Sequence, residues 1–555
     1  MQVDEKNKND DLIDTSGQDK MIQGSAWMTA GSILSRILGA LYIIPWRILF
    51  GEALFLQANA LYVQGYNVYS LFLIISIAGI PSAIAKQVAH YNALNEYGVG
   101  IRLYKRGLLL SVVTGIVCAL ILYIGAPLLD GHNENVIPIM HSLAWAVLVI
   151  PTMSLTRGYF QGYQDMAPSA ISQFAEQLIR VIYMLLSAFL ILKVFHGSWI
   201  DAVAQSTFAA FIGALAGLAI LGLYYFKRKK YYDSLVANSN NKVKVNTNQL
   251  YKEIISQAVP FIVLASGITI FQLIDQYTFF KIMHLATNYS DAHLNALYTI
   301  FAGNANKLIM ITISLASAMA ITVVPLLSEA YTRNDNEAIK KQISNGLVLF
   351  MFVMLPASLG MAAVAGPLNR VFYGTSQAAL SANVLAFSSI IGISFGLFTV
   401  IAAMMQGISQ NKRAVKFFVV GTIAKALTQF PFVFFFGIFG PLLSSAFGFI
   451  VANYLIVRSL DRQFGIEYKF ISDKINRILV YSIATYMVAL IVVHLGNKLV
   501  GLFMNQYSSV GSFIVVMLSA IIGGYVYILL SLKNRLADDI IGNKMDSLRR
   551  ILRIK

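Results

Sequence analysis

Charge is scarce in this sequence. Only 12% of its 555 residues are Asp, Glu, Lys or Arg, against roughly 25% in soluble domains, so an ordinary solvated globular chain is excluded. Cysteine is scarcer still. Cys118 stands alone inside an apolar run, so neither an intramolecular disulfide nor a cysteine metal cluster can form, and packing is its ordinary role. No GxxxxGK[ST], HExxH, CxxC or glycine-rich nucleotide loop occurs. ATP hydrolysis and catalytic metal chemistry lose their usual signatures, and we expect no enzyme, no catalytic residue, no cofactor and no metal. The first 20 or so residues are polar and mixed in charge with no short apolar core after a basic start, so no cleaved signal is expected.

What is abundant is apolar surface. Hydrophobic residues make up 57% of the chain, and the formal charge is +16. The basic residues gather in short clusters between long apolar segments rather than in an aromatic-studded basic domain, a pattern of membrane topology and not of nucleic-acid binding. Windows of about 20 apolar residues start near residues 24, 61, 107, 136, 169, 203, 253, 299, 344, 379, 414, 440, 478 and 510, which predicts fourteen transmembrane helices. With the amino terminus inside, 33 of the 42 Lys and Arg fall on cytoplasmic segments, 5 on outer ones and 4 within spans. That asymmetry predicts both termini in the cytoplasm.

A repeat is visible as well. Pro81 in "AGIPSAIAKQVAHY" and Pro325 in "ITVVPLLSEAYTRN" are 244 residues apart, and the Gln-Gly pairs of "YFQGYQD" and "MMQGISQ" are 245 apart. Six spans separate the copies, an even number, so both halves point the same way about an axis along the membrane normal. The fold class expected is an all-α integral membrane protein: two six-helix lobes in parallel pseudo-twofold repeat plus two C-terminal helices. The segments are an N-terminal tail 1–23, an N-lobe 24–226, an inter-lobe loop 227–250 rich in Asn and flexible, a C-lobe 251–463, the last helix pair with its preceding loop 464–532, and a basic tail 533–555. The two-lobed layout and the lack of a filter-like loop disfavour a channel.

An ionisable side chain at mid-membrane costs roughly 2.5–3.5 kcal/mol on insertion scales, so each such group needs a partner, a wet cavity or a task. Glu176 and Arg180 stand four apart, acid first, and are expected to form a structural ion pair. Asp275 could meet a cation, a proton or Lys425; the two residues are candidates for coupling or charge balance. The remaining surplus is positive. In "SILSRILGALYIIPW", Arg36 sits inside an apolar run, and Arg47, eleven residues on, faces within about 20° of it at 100° per residue. Lys307 shares a helix face with Asn304 and Ser314, and Lys425 with Thr422, Thr428 and Gln429. Snorkelling to the interface is the alternative for each cation. A wet basic cavity suits a phosphate-bearing ligand, so the residues alone point to a transporter of an anionic, amphiphilic substrate.

Four stretches carry a resemblance: "SRILGALY" from Ser35, "AGIPSAIAKQVAHYNAL" from Ala78, "RGYFQGYQDMAPSAISQFAEQLIRV" from Arg157 and "ANKLIMITISLASAMAITVVPLLSE" from Ala305. Here the chain resembles the MurJ-type lipid II flippases, in the Gram-positive polysaccharide export branch of the multidrug/oligosaccharidyl-lipid/polysaccharide exporter superfamily. The resemblance implies a multi-pass protein of the bacterial cytoplasmic membrane that carries undecaprenyl-diphosphate-linked peptidoglycan precursor from the inner to the outer leaflet by alternating access. It matches Arg36 to a family arginine and sets Lys307 where the family pattern has arginine; together with Arg47 and Asn304, which share their helix faces, these are the expected substrate site. Tyr42 replaces a second family arginine, and Lys425 appears where an acidic companion of Asp275 would make a sodium site. Expected partners are the lipid-linked oligosaccharide, membrane lipids and cell wall synthesis proteins, with no nucleic acid and a monomeric chain. The alternatives are a flippase for another lipid-linked glycan, a drug/cation antiporter of the same superfamily, which would want an acidic cavity, and a non-transporting scaffold, which would need no buried cations.

Overall fold

A computed structural model describes residues 34–35, 38–77, 79–131, 133–240, 259–505, 507–541 and 549–550. Every regular element among them is helical. An apolar chain in lipid must satisfy its backbone N–H and C=O groups internally, and a helix does so within each segment. Among the described residues, eleven helical stretches are long and apolar enough to cross a membrane, or twelve if the pair Val259–Ala265 and Gly267–Ala286, bent by 59°, is one span. Fewer spans stand here than the fourteen expected, for two reasons. The first expected span begins outside the described residues. The 54-residue stretch Asn411–Phe464 passes as one, although Gly437, at φ 54°, separates two helices inside it.

The chain divides into two compact units. The first holds the residues up to Phe50 and from Gln64 to Ile262; the second holds Gly51–Val63 and everything from Val263. In the first unit, α1 (Ile43–Ile77) is broken at Gly51, whose φ 75° and ψ 163° lie in a region open essentially to glycine alone. Then come α2 (Ile80–Ala93), α3 (Tyr97–Leu129), α4 (Ile137–Gly162), α5 (Ala167–Phe189), α6 (Trp199–Lys227) and the short α7 (Lys229–Ala237). The second unit takes residues 51–63 of α1 and adds α8 (Gly267–Ala286), α9 (Asp291–Tyr298), a π-helical turn Thr299–Ala305, and α10 (Asn306–Thr332). It continues with α11 (Asn336–Ala363), α12 (Ala365–Tyr373), α13 (Ala378–Gly407), α14 (Asn411–Phe436), α15 (Gly440–Phe464), α16 (Tyr468–Phe503), α17 (Ser509–Lys533) and α18 (Leu536–Ile541).

The Gln-Gly repeat has a packing counterpart in each unit. A Cβ on Gly162 would meet Val88 and the Ala85 carbonyl at 2.7–3.0 Å; one on Gly407 would meet Leu327 and the Val324 carbonyl at 2.9–3.1 Å. Small residues let α4 approach α2, and α13 approach α10, at backbone distance, the ordinary device of helix association in lipid. Outward faces are apolar: α3 alone exposes Leu109, Val113, Val117, Ile121 and Ile124. Cys118 is buried on the same helix.

One expectation is corrected in the loop set at 227–250. Its first part folds, because α7 seats Tyr232, 2% exposed, among Tyr159, Tyr163 and Tyr225. The Asn240 amide and the Ser239 hydroxyl then both donate to the Asn95 carbonyl. The tyrosines are a partner that polarity and asparagine content do not reveal. Residues 241–250 lie outside the described set.

Candidate functional site

In the second unit, the π-helical turn feeds directly into α10, and the 51–63 segment of α1 lies against it. Asn59 is the joint. Its Nδ2 donates to Asn304 Oδ1 at 2.8 Å, and its Oδ1 accepts from Lys307 Nζ at 3.1 Å. The Lys307 ammonium also stands 4.6 Å from the centroid of the Tyr62 ring, where the ring quadrupole favours a cation. The Thr299 hydroxyl donates to the Leu56 carbonyl at 2.6 Å, and the Tyr373 hydroxyl to the Asn304 carbonyl at 3.1 Å. Gly303 permits the approach, since a Cβ there would lie 3.0 Å from Asn59 Nδ2. Asn304 is buried, and its Nδ2 finds no acceptor among the described residues. An unused donor beside a half-buried ammonium is suited to an anionic oxygen.

Of the four expected substrate residues, Lys307 and Asn304 are therefore brought together. Arg47 is half-buried on α1 in the first unit, next to Trp46, whose Nε1 donates to Ser206 Oγ at 3.1 Å. Arg36 lies outside the described residues. Asn59, Tyr62 and Tyr373 went unnoticed in the sequence. The available signal was the polar series Gln57, Asn59, Gln64 and Asn67 in an otherwise apolar span.

A second polar cluster is buried deeper in the same unit. Lys425, 0% exposed, donates to Asp275 Oδ1 at 2.7 Å, to Ser445 Oγ at 2.7 Å, to Ser444 Oγ at 3.2 Å and to Gln429 Oε1 at 3.3 Å. Gln429 Nε2 donates in turn to Asp275 Oδ1 and to Thr278 Oγ1. Asp275 has thus taken the lysine among the options open to it. Four oxygens surround the ammonium, and each partner is itself hydrogen-bonded, which is the condition for a buried ion pair to hold.

In the first unit the expected Glu176–Arg180 pair is corrected. Glu176 Oε2 is bridged at 2.8 Å by Nη2 of Arg157, whose Nε donates to Ser172 Oγ at 2.8 Å. Arg157 comes from the last turns of α4 and crosses to α5, a partner nineteen residues away that four-residue spacing cannot show. Arg180 holds its guanidinium 5.8 Å from the Tyr66 ring. In the loop after α4, Asp165 is ion-paired with Arg228. Burial still pushes its carboxyl above the ordinary carboxylate range, against the pull of that arginine. Beside it, burial pushes the Tyr163 hydroxyl up to about 12.

Long apolar helices that bury an ion pair and gather a carboxamide-held ammonium define a polytopic membrane protein of the transporter class. Comparisons with known proteins agree. A family described as "Polysaccharide biosynthesis protein" matches residues 21–331. The chain is 34% identical over 541 residues, 95% of its length and 97% of the relative's, to the Lipid II flippase MurJ of Bacillus subtilis (strain 168). It belongs to the MurJ lipid II flippase family, whose members are multi-pass proteins of the bacterial cytoplasmic membrane. A solved MurJ structure in an inward closed conformation shares the fold at TM-score 0.57 and 12% identity, covering 90% of this chain and 98% of that one. An inward-facing multidrug resistance transporter of the MATE family matches with the same TM-score at 14% identity, covering 76% of this chain and 99% of that one.

Proposed function

We propose that this chain carries lipid II, the undecaprenyl-diphosphate-linked peptidoglycan precursor, from the inner to the outer leaflet by alternating access. The observation that carries the proposal is 34% identity, sustained over 95% of the chain, to a protein named a lipid II flippase. We further propose fourteen spans with both termini cytoplasmic, arranged as two six-helix lobes and a final helix pair; the 33-to-5 distribution of basic residues supports this.

The headgroup diphosphate is held by Lys307 and Asn304, with Arg36 and Arg47 supplying further positive charge. Lys307 contributes a point charge, and Asn304 Nδ2 a directed donor. Asn59 keeps both in register while the site is empty and yields to phosphate oxygens when it fills. Lys425 is the fixed counter-charge of Asp275, so the second unit carries its own cation at that place. An interior-negative potential favours outward movement of the anion, by about 2.3 kcal/mol for each charge crossing 100 mV.

The test is depletion of the protein, with lipid II measured in each leaflet. Lipid II is expected to accumulate in the inner leaflet, and expression of Lys307→Ala is expected to restore outward appearance at less than a tenth of the normal rate. Normal appearance after depletion, with no other flippase present, would refute the proposal. Drug/cation antiport on the fold shared with a multidrug transporter is the second reading. Drug efflux by the intact protein, with lipid II movement unaffected by its loss, would select that reading.

A further inference from the structure

The helix pair α14 and α15 is closed at one level and open at another. At Gly421 and Gly448 the two backbones almost touch, since a Cβ on either would lie 2.5–2.8 Å from the other's carbonyl oxygen. Toward the start of α14 and the end of α15 the helices part, and a groove of about 570 Å³ opens between them. Its mouth carries Arg413, Arg458 and Arg462, and its floor Phe417 and Leu455. Eight residues separate Gly421 from Arg413, so the mouth lies about 12 Å along the helix from the crossing.

The chemistry is graded along that distance. Three exposed guanidinium groups stand at the mouth, and among the described residues no acidic side chain lines the groove. Gln463 and Gln410 accept from Arg413 Nη1 at 3.3 and 3.1 Å, and the Tyr454 hydroxyl accepts from Arg458 Nη1 at 3.4 Å. These neutral acceptors orient the arginines without discharging them. Nearby Asp461 spends Oδ1 on the Ile466 amide that ends α15. Below the floor, exposed Val420 beside Gly421 and Phe447 just beyond Gly448 continue the apolar surface to the glycine crossing.

The fold does not require this. Gly213 meets the Glu176 carbonyl and Arg180 Cβ in the first unit as Gly448 meets the Gly421 carbonyl and Lys425 Cβ in the second. With those glycines matched, 235 residues apart, Arg458 and Arg462 stand where the first unit has Leu223 and Lys227. Matching Arg180 to Lys425, 245 apart, sets Arg413 where the first unit has Pro168.

We propose that this groove binds the headgroup of an anionic phospholipid, with Arg413, Arg458 and Arg462 on the phosphate and the acyl chains lying on Phe417, Leu455 and Phe447. Planar guanidinium forks suit phosphate oxygens, and the apolar floor running into a lipid-facing strip distinguishes a lipid from a soluble ion. The basic end of the pair belongs to the cytoplasmic leaflet in the proposed topology, where anionic lipid and basic residues attract. The site is separate from the transported substrate and stands whatever that substrate is.

The test titrates the full-length protein in detergent with phosphatidylglycerol, phosphatidylcholine or inorganic phosphate, and counts bound lipid by native mass spectrometry. Phosphatidylglycerol is expected to bind in preference to phosphatidylcholine, and inorganic phosphate not to displace it. Each arginine replaced by glutamine should weaken phosphatidylglycerol about fivefold, the effect of one basic residue at an anionic surface, and leave phosphatidylcholine unchanged. Replacing Lys227, Lys229 and Lys230 of the first unit by glutamine controls for net charge and should leave the preference intact. Undiminished preference in Arg413→Gln/Arg458→Gln/Arg462→Gln, equal loss in the lysine control, or displacement by inorganic phosphate would each overturn the proposal. Should the triple variant fail to fold, the exposed single change Arg458→Gln carries the same test.

Discussion

Arg180 and Lys425 stand 245 residues apart, each on a helix whose backbone packs against a glycine of the next helix. The frame is the same, but the cations are treated differently. Lys425 is wholly buried and enclosed by Asp275 and three neutral side chains. Arg180 is only half-buried against an aromatic ring, and the acid one turn before it is bound to Arg157. A wholly buried charge needs a dedicated counter-charge, whereas a half-buried one is less costly to hold and depends less on any single contact. A repeated backbone arrangement thus fixes where a cation stands without fixing what it does.

The strongest way to break this comparison is Lys425→Met. It strands the Asp275 carboxylate among apolar helices, so unfolding stability in detergent should fall by about 3–5 kcal/mol. Adding Asp275→Asn should recover more than half of that loss; no recovery would show that the lysine packs rather than pairs. Next come the matched glycines. Gly448→Ala and Gly213→Ala each press a methyl onto a carbonyl oxygen at 2.8 and 2.7 Å, and each should cost about 1–3 kcal/mol. Unequal losses in thermal unfolding would mean that the two helix pairs are not equivalent. Asn59→Leu should cost about 1–3 kcal/mol, because Asn304 and Lys307 lose a partner together. Glu176→Gln removes one charge from the Arg157 bridge and should cost about 1 kcal/mol, while Arg180→Gln should change stability by about 0.5 kcal/mol or less. An Arg180 effect as large as that of Lys425 would collapse the distinction.

Hydropathy made the spans legible because lipid imposes one requirement on every helix, and the Gln-Gly landmarks exposed the repeat because close helix approach demands a small residue in both copies. Lys307 and Asn304 were legible as neighbours on one face, three residues apart. Asn59 was not: its partners lie 245 and 248 residues away, and a lone asparagine in an apolar run gives no direction. The Glu176 assignment failed for the same reason. Local spacing supplied a partner on the same helix, while α4 delivered a better one from its end. Pairing across elements is decided by how helices cross, and periodicity within one helix does not encode that.

Residues 51–63 have a consequence for how this protein can be taken apart. The chain passes from one unit to the other after Phe50, again after Val63 and a third time after Ile262. Cutting the connection near residue 250 severs one thread of three. The amino-terminal fragment would still carry a strip of the other body's interior, Phe55, Ala58 and Asn59 among it. The carboxy-terminal fragment, made alone, would lack those residues and with them the Asn59 contacts to Asn304 and Lys307 and the Leu56 carbonyl that receives Thr299.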